Sequence, residues 1–224
     1  FNGLSAEYCV DASVVTLTGN QAPNGSFSGS GITDNGNGTA TFDPAAAGVG
    51  GPYQIIYTYT DVNTCTNSDT QTVIVNDLPV VSFTGLDVEY CVDASVATLT
   101  GNEAPDGSFS GPGITDNGNG TADFDASLAG VGGPYQIIYT YTDANACTNS
   151  DTQMVAVNPL PVVAFTGLLA EYCVDADVDT LSGTPVGGTF TGSGMTGNIF
   201  DPSAAGVGAH DITFVAGEEI VDMR

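Results

Sequence analysis

Five cysteines are the residues of this sequence best suited to covalent chemistry. Cys9 and Cys65 are 56 positions apart, and so are Cys91 and Cys147. Cysteines at matching places predict one disulfide inside each repeated unit, Cys9–Cys65 and Cys91–Cys147, and therefore an oxidising compartment outside the cytoplasm. Cys173 has no counterpart of Cys65 after it, so it is either an unpaired thiol or part of a domain that continues further.

Metal binding is the alternative use of these thiols. Zinc sites usually combine closely spaced Cys or His residues, whereas the cysteines here are far apart and His210 is the single histidine. This spacing favours disulfides over zinc.

Carboxylates form the second set of reactive groups. If each unit had its own disulfide, acidic residues near both cysteines would be drawn together and could bind a hard cation such as Ca²⁺. A solvated acidic surface is the alternative. The candidate calcium ligands are Glu7, Asp11, Asp61 and Asp69 in the first unit, and Glu89, Asp93, Asp143 and Asp151 in the second.

No set of residues in this sequence indicates catalysis. A nucleophile needs a neighbouring base, and the single histidine, His210, is best interpreted as a polar residue at the start of a strand. Paired carboxylates could serve a glycosidase, but the same aspartates recur in both full units, which is unusual for an active site. We therefore expect no catalytic residues and no enzyme activity.

The charge balance restricts the partners. The chain has 26 acidic residues and a single basic one, for a formal net charge of −25. Nucleic acids and anionic membrane surfaces are bound through Lys and Arg, so both are excluded as partners, and cationic partners are favoured. No apolar run reaches the 18 or so residues that predict a membrane-spanning helix.

Some short motifs indicate covalent modification. Isopeptide bonds of the Lys–Asn type are excluded because the chain has no lysine. Asp179-Thr180-Leu181 resembles an O-glycosylation pattern of Bacteroidota, with Thr180 as the acceptor. Asn24, Asn37 and Asn119 each begin an N-glycosylation sequon. Motifs of three residues are weak signals.

An internal repeat of 82 residues organises the chain, since Phe1-Asn2-Gly3-Leu4 recurs as Phe83-Thr84-Gly85-Leu86 and as Phe165-Thr166-Gly167-Leu168. The first two copies are identical at about four positions in five. The third is shorter and diverges after Asp211. Prolines after Asn76 and Asn158 mark the linkers. We predict three domains: repeat 1 (1–77, with an incomplete first strand), repeat 2 (78–159) and repeat 3 (160–224, degenerate or truncated).

Each repeat is predicted to consist of short β-strands. Residues 53–60 alternate between apolar and polar side chains, and residues 69–75 form a β-branched run beyond a polar loop at 61–68. Shorter strands are predicted at 14–18, 26–28 and 39–42. Many short strands separated by turn residues predict an all-β fold of tandem immunoglobulin-like Greek-key sandwiches.

The repeated motifs resemble those of a known class. Phe-x-Gly-Leu-x-x-x-Tyr-Cys-Val-Asp, Phe-Asp-Pro-x-x-Ala-Gly-Val-Gly and Ile-x-Tyr-Thr-Tyr-Thr-Asp-x-x-x-Cys-Thr-Asn-Ser are similar to the Ig-like or PKD-like repeats of large Bacteroidota surface proteins, often exported by type IX secretion. This resemblance implies stalks, adhesins or filament subunits, and it carries no catalytic residues.

We therefore expect a secreted or surface-exposed structural protein, a semi-rigid rod that forms or belongs to a filament or stalk. The chain begins at Phe1, which suggests a processed or excised piece. Incomplete sandwiches at both ends predict self-association head to tail by strand complementation, or contact with neighbouring repeats of a longer chain. The alternative function is that of an adhesin whose loops bind glycan or protein.

Overall fold

The computed structural model describes residues 1–216 of the chain. In repeat 1, strands form where apolar and polar side chains alternate. Ile55 and Tyr57 point into the core, as the alternation predicts, and Tyr53 and Tyr59 are half-buried on the same face. The strands of repeat 1 are β1 (Glu7–Cys9), β2 (Val15–Thr18), β3 (Ser26–Ser28), β4 (Ile32–Asp34), β5 (Thr39–Phe42), β6 (Gly50–Thr60) and β7 (Thr66–Asn76).

Two sheets form repeat 1. One has the strand order β2-β5-β4 and the other β1-β7-β6-β3. All of their pairings are antiparallel except that of β1 with β7, in which Glu7 lies opposite Ile74 and Cys9 opposite Asn76. This parallel pairing places the start of the repeat against the end of its last strand.

Repeat 2 reproduces this arrangement. Its sheets have the orders β12-β13-β10-β8 and β11-β14-β15-β9, and β9 pairs with β15 in parallel with Cys91 opposite Asn158. The strands are β8 (Phe83–Thr84), β9 (Glu89–Cys91), β10 (Ala97–Gly101), β11 (Ser108–Ser110), β12 (Ile114–Asp116), β13 (Thr121–Phe124), β14 (Gly132–Thr142) and β15 (Thr148–Asn158).

Phe1 and Asn2 occupy in repeat 1 the position that β8 has in repeat 2. Asn2 forms a bridge to Thr18, where repeat 2 pairs Thr84 with Thr100. The Phe1 ring lies 5.2 Å from that of Phe27, in an edge-on contact like that of the matching pair in repeat 2.

Repeat 3 forms smaller sheets within its described part. They pair β16 with β18, β17 with β21, β21 with β20, and β19 with β22. The strands are β16 (Ala164–Thr166), β17 (Asp179–Thr180), β18 (Ser182–Thr184), β19 (Thr189–Thr191), β20 (Met195–Thr196), β21 (Ile199–Phe200) and β22 (Thr213–Val215). The predicted third domain also includes residues 217–224, which lie outside the described residues.

One turn of helix follows the Phe-Asp motif in every repeat, which the sequence prediction missed. An aspartate caps each turn, since its carboxylate accepts hydrogen bonds from the first free backbone N–H groups, and a glycine with positive φ ends it. The helices are α1 (Pro44–Ala47), α2 (Ala126–Ala129) and α3 (Pro202–Ala205), capped by Asp43, Asp125 and Asp201.

Each repeat has its own apolar core. The buried clusters comprise residues between Leu17 and Val75, between Phe83 and Val157, and between Leu181 and Phe214. In repeat 2 the Tyr139 hydroxyl donates to the Asp106 carbonyl at 2.8 Å, and burial raises the pKa of this phenol.

A glycine lies beneath each central aromatic ring because no larger residue fits there. A Cβ on Gly101 would lie 2.0 Å from the Tyr139 ring, and one on Gly183 would lie 2.1 Å from Phe214. The glycine and the aromatic residue therefore belong together in each repeat.

The chain is mostly β-structure arranged in antiparallel sheets, which confirms the predicted all-β fold class. The compact units are residues 1–158 and residues 159–224, so the division into three domains stays a prediction. Within residues 1–216, no helix is long and apolar enough to cross a membrane.

Candidate functional site

The cysteines of one repeat lie at opposite ends of its sandwich. Cys9 lies opposite Asn76, the last residue of β7, whereas Cys65 immediately precedes Thr66, the first. Eleven residues of strand separate the two positions, which at about 3.3 Å per residue amounts to about 35 Å. A disulfide requires Cα atoms within about 7 Å of each other.

The predicted pairs Cys9–Cys65 and Cys91–Cys147 are therefore wrong. Cys9 instead bonds Cys147, with an Sγ–Sγ distance of 2.05 Å and a Cα–Cα distance of 5.5 Å. Cys65 and Cys91 are free and exposed, and so is Cys173, which the sequence suggested as an unpaired thiol.

This disulfide joins two repeats. We call the end of a sandwich that carries Cys9 and Asn76, or Cys91 and Asn158, its trailing end, because the chain leaves there. The opposite end, with the hairpin loop 61–65 or 143–147, is its leading end. The bond connects the trailing end of repeat 1 to the leading end of repeat 2 beside the linker 77–82.

Hydrogen bonds tie the linker to the leading end of repeat 2. The Asn102 amide donates to the Val80 carbonyl at 2.7 Å and accepts from the Ser82 N–H at 2.9 Å. The Asn149 amide donates to the Pro79 carbonyl at 2.9 Å. The joint is therefore held by the Cys9–Cys147 disulfide and by hydrogen bonds between side-chain amides and the linker backbone.

An aspartate shapes the loop that presents each leading-end cysteine. Asp143 accepts hydrogen bonds from the N–H groups of Asn145 and Cys147, both at 2.9 Å. Ala146 adopts a left-handed backbone with φ of 62°, a conformation that non-glycine residues seldom take unless their surroundings hold it. Hydrogen bonds within the loop itself therefore hold its conformation, without contacts from another repeat.

Asp61 shapes the corresponding loop of repeat 1. It accepts from the Asn63 N–H at 2.8 Å and from the Cys65 N–H at 2.9 Å. The backbone hydrogen bond from Cys65 is the largest cause that lowers the pKa of Asp61. The polar loop predicted over 61–68 is shorter, because β7 begins at Thr66.

The predicted calcium clusters do not form. Glu7 lies on β1 at the trailing end and accepts from the Asn76 amide at 3.2 Å, while Asp61 and Asp69 lie toward the leading end. Within residues 1–216, no group of three or more His, Cys, Asp or Glu side chains is placed to hold a metal ion. The expectation failed with the disulfide pairing on which it depended. The candidate calcium ligands that do not form the predicted sites are Glu7, Asp11, Asp61 and Asp69 in repeat 1, and Glu89, Asp93, Asp143 and Asp151 in repeat 2.

The acidic residues near the first strands have structural partners instead. Asp69 forms an ion pair with the amino group of Phe1 at 2.9 Å, and this hydrogen bond is the largest cause that lowers the pKa of Asp69. Asp151 accepts from the Phe83 N–H at 3.3 Å in repeat 2. Each carboxylate fastens the start of its own repeat to the last strand.

The remaining candidates lie in repeat 3. Thr180 is exposed on β17, opposite Ile199. The His210 Nε2 lies 3.0 Å from the Gly206 carbonyl oxygen. An open groove of about 490 Å³ is lined by side chains that include Leu168, Tyr172 and Phe200. O-glycosylation of Thr180 stays a prediction.

Comparison with known proteins adds no assignment. No protein-family profile matches the chain. No curated protein matches it at a significant level of similarity.

Proposed function

We propose that this chain is an extracellular structural protein whose repeats are joined into a semi-rigid rod that forms or belongs to a surface filament or stalk. The observation that carries this proposal is the Cys9–Cys147 bond between repeats. A bond within one sandwich would stabilise that domain alone, whereas a bond across a joint restricts the movement of one domain against the next.

Three further properties support a structural role. The first two repeats are nearly copies, so adding repeats adds length without adding new chemistry. Cys147 is fully buried in its disulfide, which favours an oxidising compartment. The acidic surface, at a net charge of −25, favours solubility and cationic partners.

Strand complementation is one route by which such rods could polymerise. The groove of repeat 3, whose lining includes Leu168, Tyr172 and Phe200 among more polar groups, offers a surface for an added strand. Repeat 1 offers less, since Phe1 and Asn2 occupy its first-strand position. We therefore place any strand-accepting site in repeat 3. The adhesin function stays a prediction.

Electron microscopy of the purified oxidised chain, and of its native source material, tests the rod. We expect the segment formed by residues 1–158 to appear straight and uniform in oxidised protein. After the disulfide is reduced, a wider spread of angles should appear at the linker. Equal flexibility in both states would contradict the proposal, and globular particles without extended segments would exclude it.

A further inference from the structure

Two Asn-Gly steps lie in one hairpin of each full repeat. In repeat 1, β4 ends at Asp34, the loop reads Asn35-Gly36-Asn37-Gly38, and β5 begins at Thr39. Repeat 2 has the same sequence over residues 116–121. The two asparagines of each loop have the same following residue but different hydrogen bonds, so their surroundings can be compared directly.

The side chain of Asn37 is folded back over the peptide that follows it. Its Oδ1 accepts a hydrogen bond from the Thr39 hydroxyl at 2.6 Å and another from the Thr39 N–H at 3.1 Å. A side chain that accepts from the N–H two residues later lies across the intervening peptide, which brings Cγ next to the Gly38 nitrogen. Repeat 2 has the same arrangement, since Asn119 accepts from the hydroxyl and the N–H of Thr121 at 2.7 Å and 3.1 Å.

The side chain of Asn35 is directed away from the peptide that follows it. Its Nδ2 donates to the Thr39 hydroxyl oxygen at 2.9 Å, so the carboxamide lies across the hairpin. The N–H of Gly36 donates to the Asp34 carboxylate at 3.2 Å, and a hydrogen bond to an ionised carboxylate opposes loss of that proton. Both bonds recur at the matching positions of repeat 2, at 3.1 Å and 3.2 Å.

We propose that Asn37 and Asn119 are self-modification sites, at which the asparagine converts to aspartate and isoaspartate through a succinimide ring formed with the next glycine. The folded-back carboxamide, the glycine nitrogen beside it and the two donors of the threonine are all present in both repeats. The reaction needs only water, so it proceeds whether or not the chain assembles into a rod.

Ring closure and ring opening balance with water as the added reactant. The Gly38 nitrogen loses its proton to hydroxide and attacks Cγ of Asn37, forming a tetrahedral intermediate. The bond from Cγ to Nδ2 then breaks, and Nδ2 takes up a proton and leaves as ammonia. Water opens the ring at either carbonyl. Attack at Cγ gives aspartate, and attack at the main-chain carbonyl carbon gives isoaspartate.

Thr39 assists ring closure because both of its donors point at the atom on which negative charge develops. That atom is Oδ1 of Asn37, which already accepts the hydroxyl and the N–H of Thr39. Donors held in place before the reaction stabilise such an oxyanion. The Thr39 hydroxyl also accepts from Asn35, and a hydroxyl that accepts one hydrogen bond donates a stronger one.

Conversion changes the charge and the length of the loop. Each event adds one carboxylate to a chain whose formal net charge is already −25. Isoaspartate also adds one carbon atom to the main chain before Gly38. This glycine is closely packed, since a Cβ on it would lie 2.7 Å from both the Ala22 Cα and the Asn24 carbonyl oxygen. We therefore expect isoaspartate to displace the loop from its neighbour at 20–25.

The test follows the full chain, with its disulfide intact, during incubation at mildly alkaline pH. Mass spectrometry after digestion with pepsin at acidic pH resolves the asparagines, and an isoaspartyl methyltransferase labels the product of ring opening. We expect Asn37 and Asn119 to convert at least about fivefold faster than Asn35 and Asn117, a ratio that corresponds to about one hydrogen bond. In denaturant the four rates should become similar. Equal rates in the folded protein, or the same preference in denaturant, would overturn the proposal.

Thr39→Val separates assistance by the hydroxyl from a general loosening of the loop. Valine has the shape of threonine and favours strands, but it has no hydroxyl. The rate at Asn37 should fall about fivefold, whereas Asn35 should react faster because its amide is no longer held. A loosened hairpin would raise both rates.

The same molecule contains the matched control for this variant. Asn119 keeps its own threonine, so its rate should not change in Thr39→Val. Thr39→Ser retains the hydroxyl and should keep the rate at Asn37 close to that of the unmodified protein. An unchanged or higher rate at Asn37 in Thr39→Val would overturn the proposal.

Discussion

The loops around Cys65 and Cys147 are nearly the same peptide in two surroundings. Residues 61–71 and 143–153 differ only at Val62/Ala144 and Thr64/Ala146. Both loops are shaped by an aspartate, yet Cys147 is buried and bonded whereas Cys65 is exposed and free. The local sequence therefore determines how the loop folds, and the neighbouring repeat determines whether its cysteine is covered.

Removing the joint disulfide should have the largest effect. In Cys9→Ser combined with Cys147→Ser, we expect repeats 1 and 2 to unfold in separate transitions, because the bond that encloses both is gone. The sequence separation of 138 residues corresponds to a loss of up to about 5 kcal/mol on the loop-closure argument. Denaturant unfolding followed by circular dichroism measures it.

The matched control is Cys65→Ser, which changes the same loop position without removing a bond. Its free energy of unfolding should stay within about 0.5 kcal/mol of the unmodified protein, as is usual for exposed sites. If Cys65→Ser lowered the free energy of unfolding as much as the double variant does, the loss could not be assigned to the disulfide. The two loops would then not differ in the way described.

Loss of the Asn102 side chain should have a smaller effect. Asn102→Ala removes two hydrogen bonds to the linker, at Val80 and Ser82, and should cost about 1 kcal/mol because the site is exposed. Hydrogen exchange of the Ser82 N–H should rise accordingly. Asn20 is the counterpart in repeat 1 and makes no such bonds within residues 1–216, so Asn20→Ala should be neutral; equal effects would contradict the assignment.

Acid should protonate Asp61 and so weaken its hydrogen bonds to the backbone of the loop 61–65. The pKa of its carboxyl is lowered in the folded loop, so the stabilisation is present above 3.8, the ordinary value, and is lost as pH falls through the lowered pKa. The amide resonance of Cys65 should titrate with a midpoint below 3.8 in nuclear magnetic resonance spectra. Asp61→Asn should abolish this titration, and a midpoint above 3.8 would contradict the hydrogen-bond assignment.

Strand positions could be predicted well because alternation is a local signal. The predictions for 26–28 and 39–42 agree with β3 and β5, and 53–60 lies within β6. The strands around Tyr8 and Thr33 were missed, since Glu-Tyr-Cys and Ile-Thr-Asp lack the polar-apolar-polar alternation that Ser-Phe-Ser shows in β3. The helices at Pro44, Ala126 and Pro202 were missed because a single turn is too short to show a helical period, although an aspartate before each is a recognisable cap.

The disulfide could not be predicted from cysteine spacing alone. Equal separations suggested pairs within a repeat, but the pairing of β1 with β7 is a tertiary contact that periodicity does not reveal. One signal was present: Cys65 stands directly before a long strand, so the far end of that strand is about 35 Å away. The calcium prediction failed with the same assumption.

The crossed placement of Cys9 and Cys147 also decides how the molecule bears tension. When residues 1–158 are pulled from both ends, force passes from Cys9 through the sulfur atoms to Cys147, and the intervening chain carries no load. That segment spans 138 residues, so roughly 450 Å of contour length cannot be released by stretching while the bond is intact. Most of both cores is thereby shielded from mechanical unfolding.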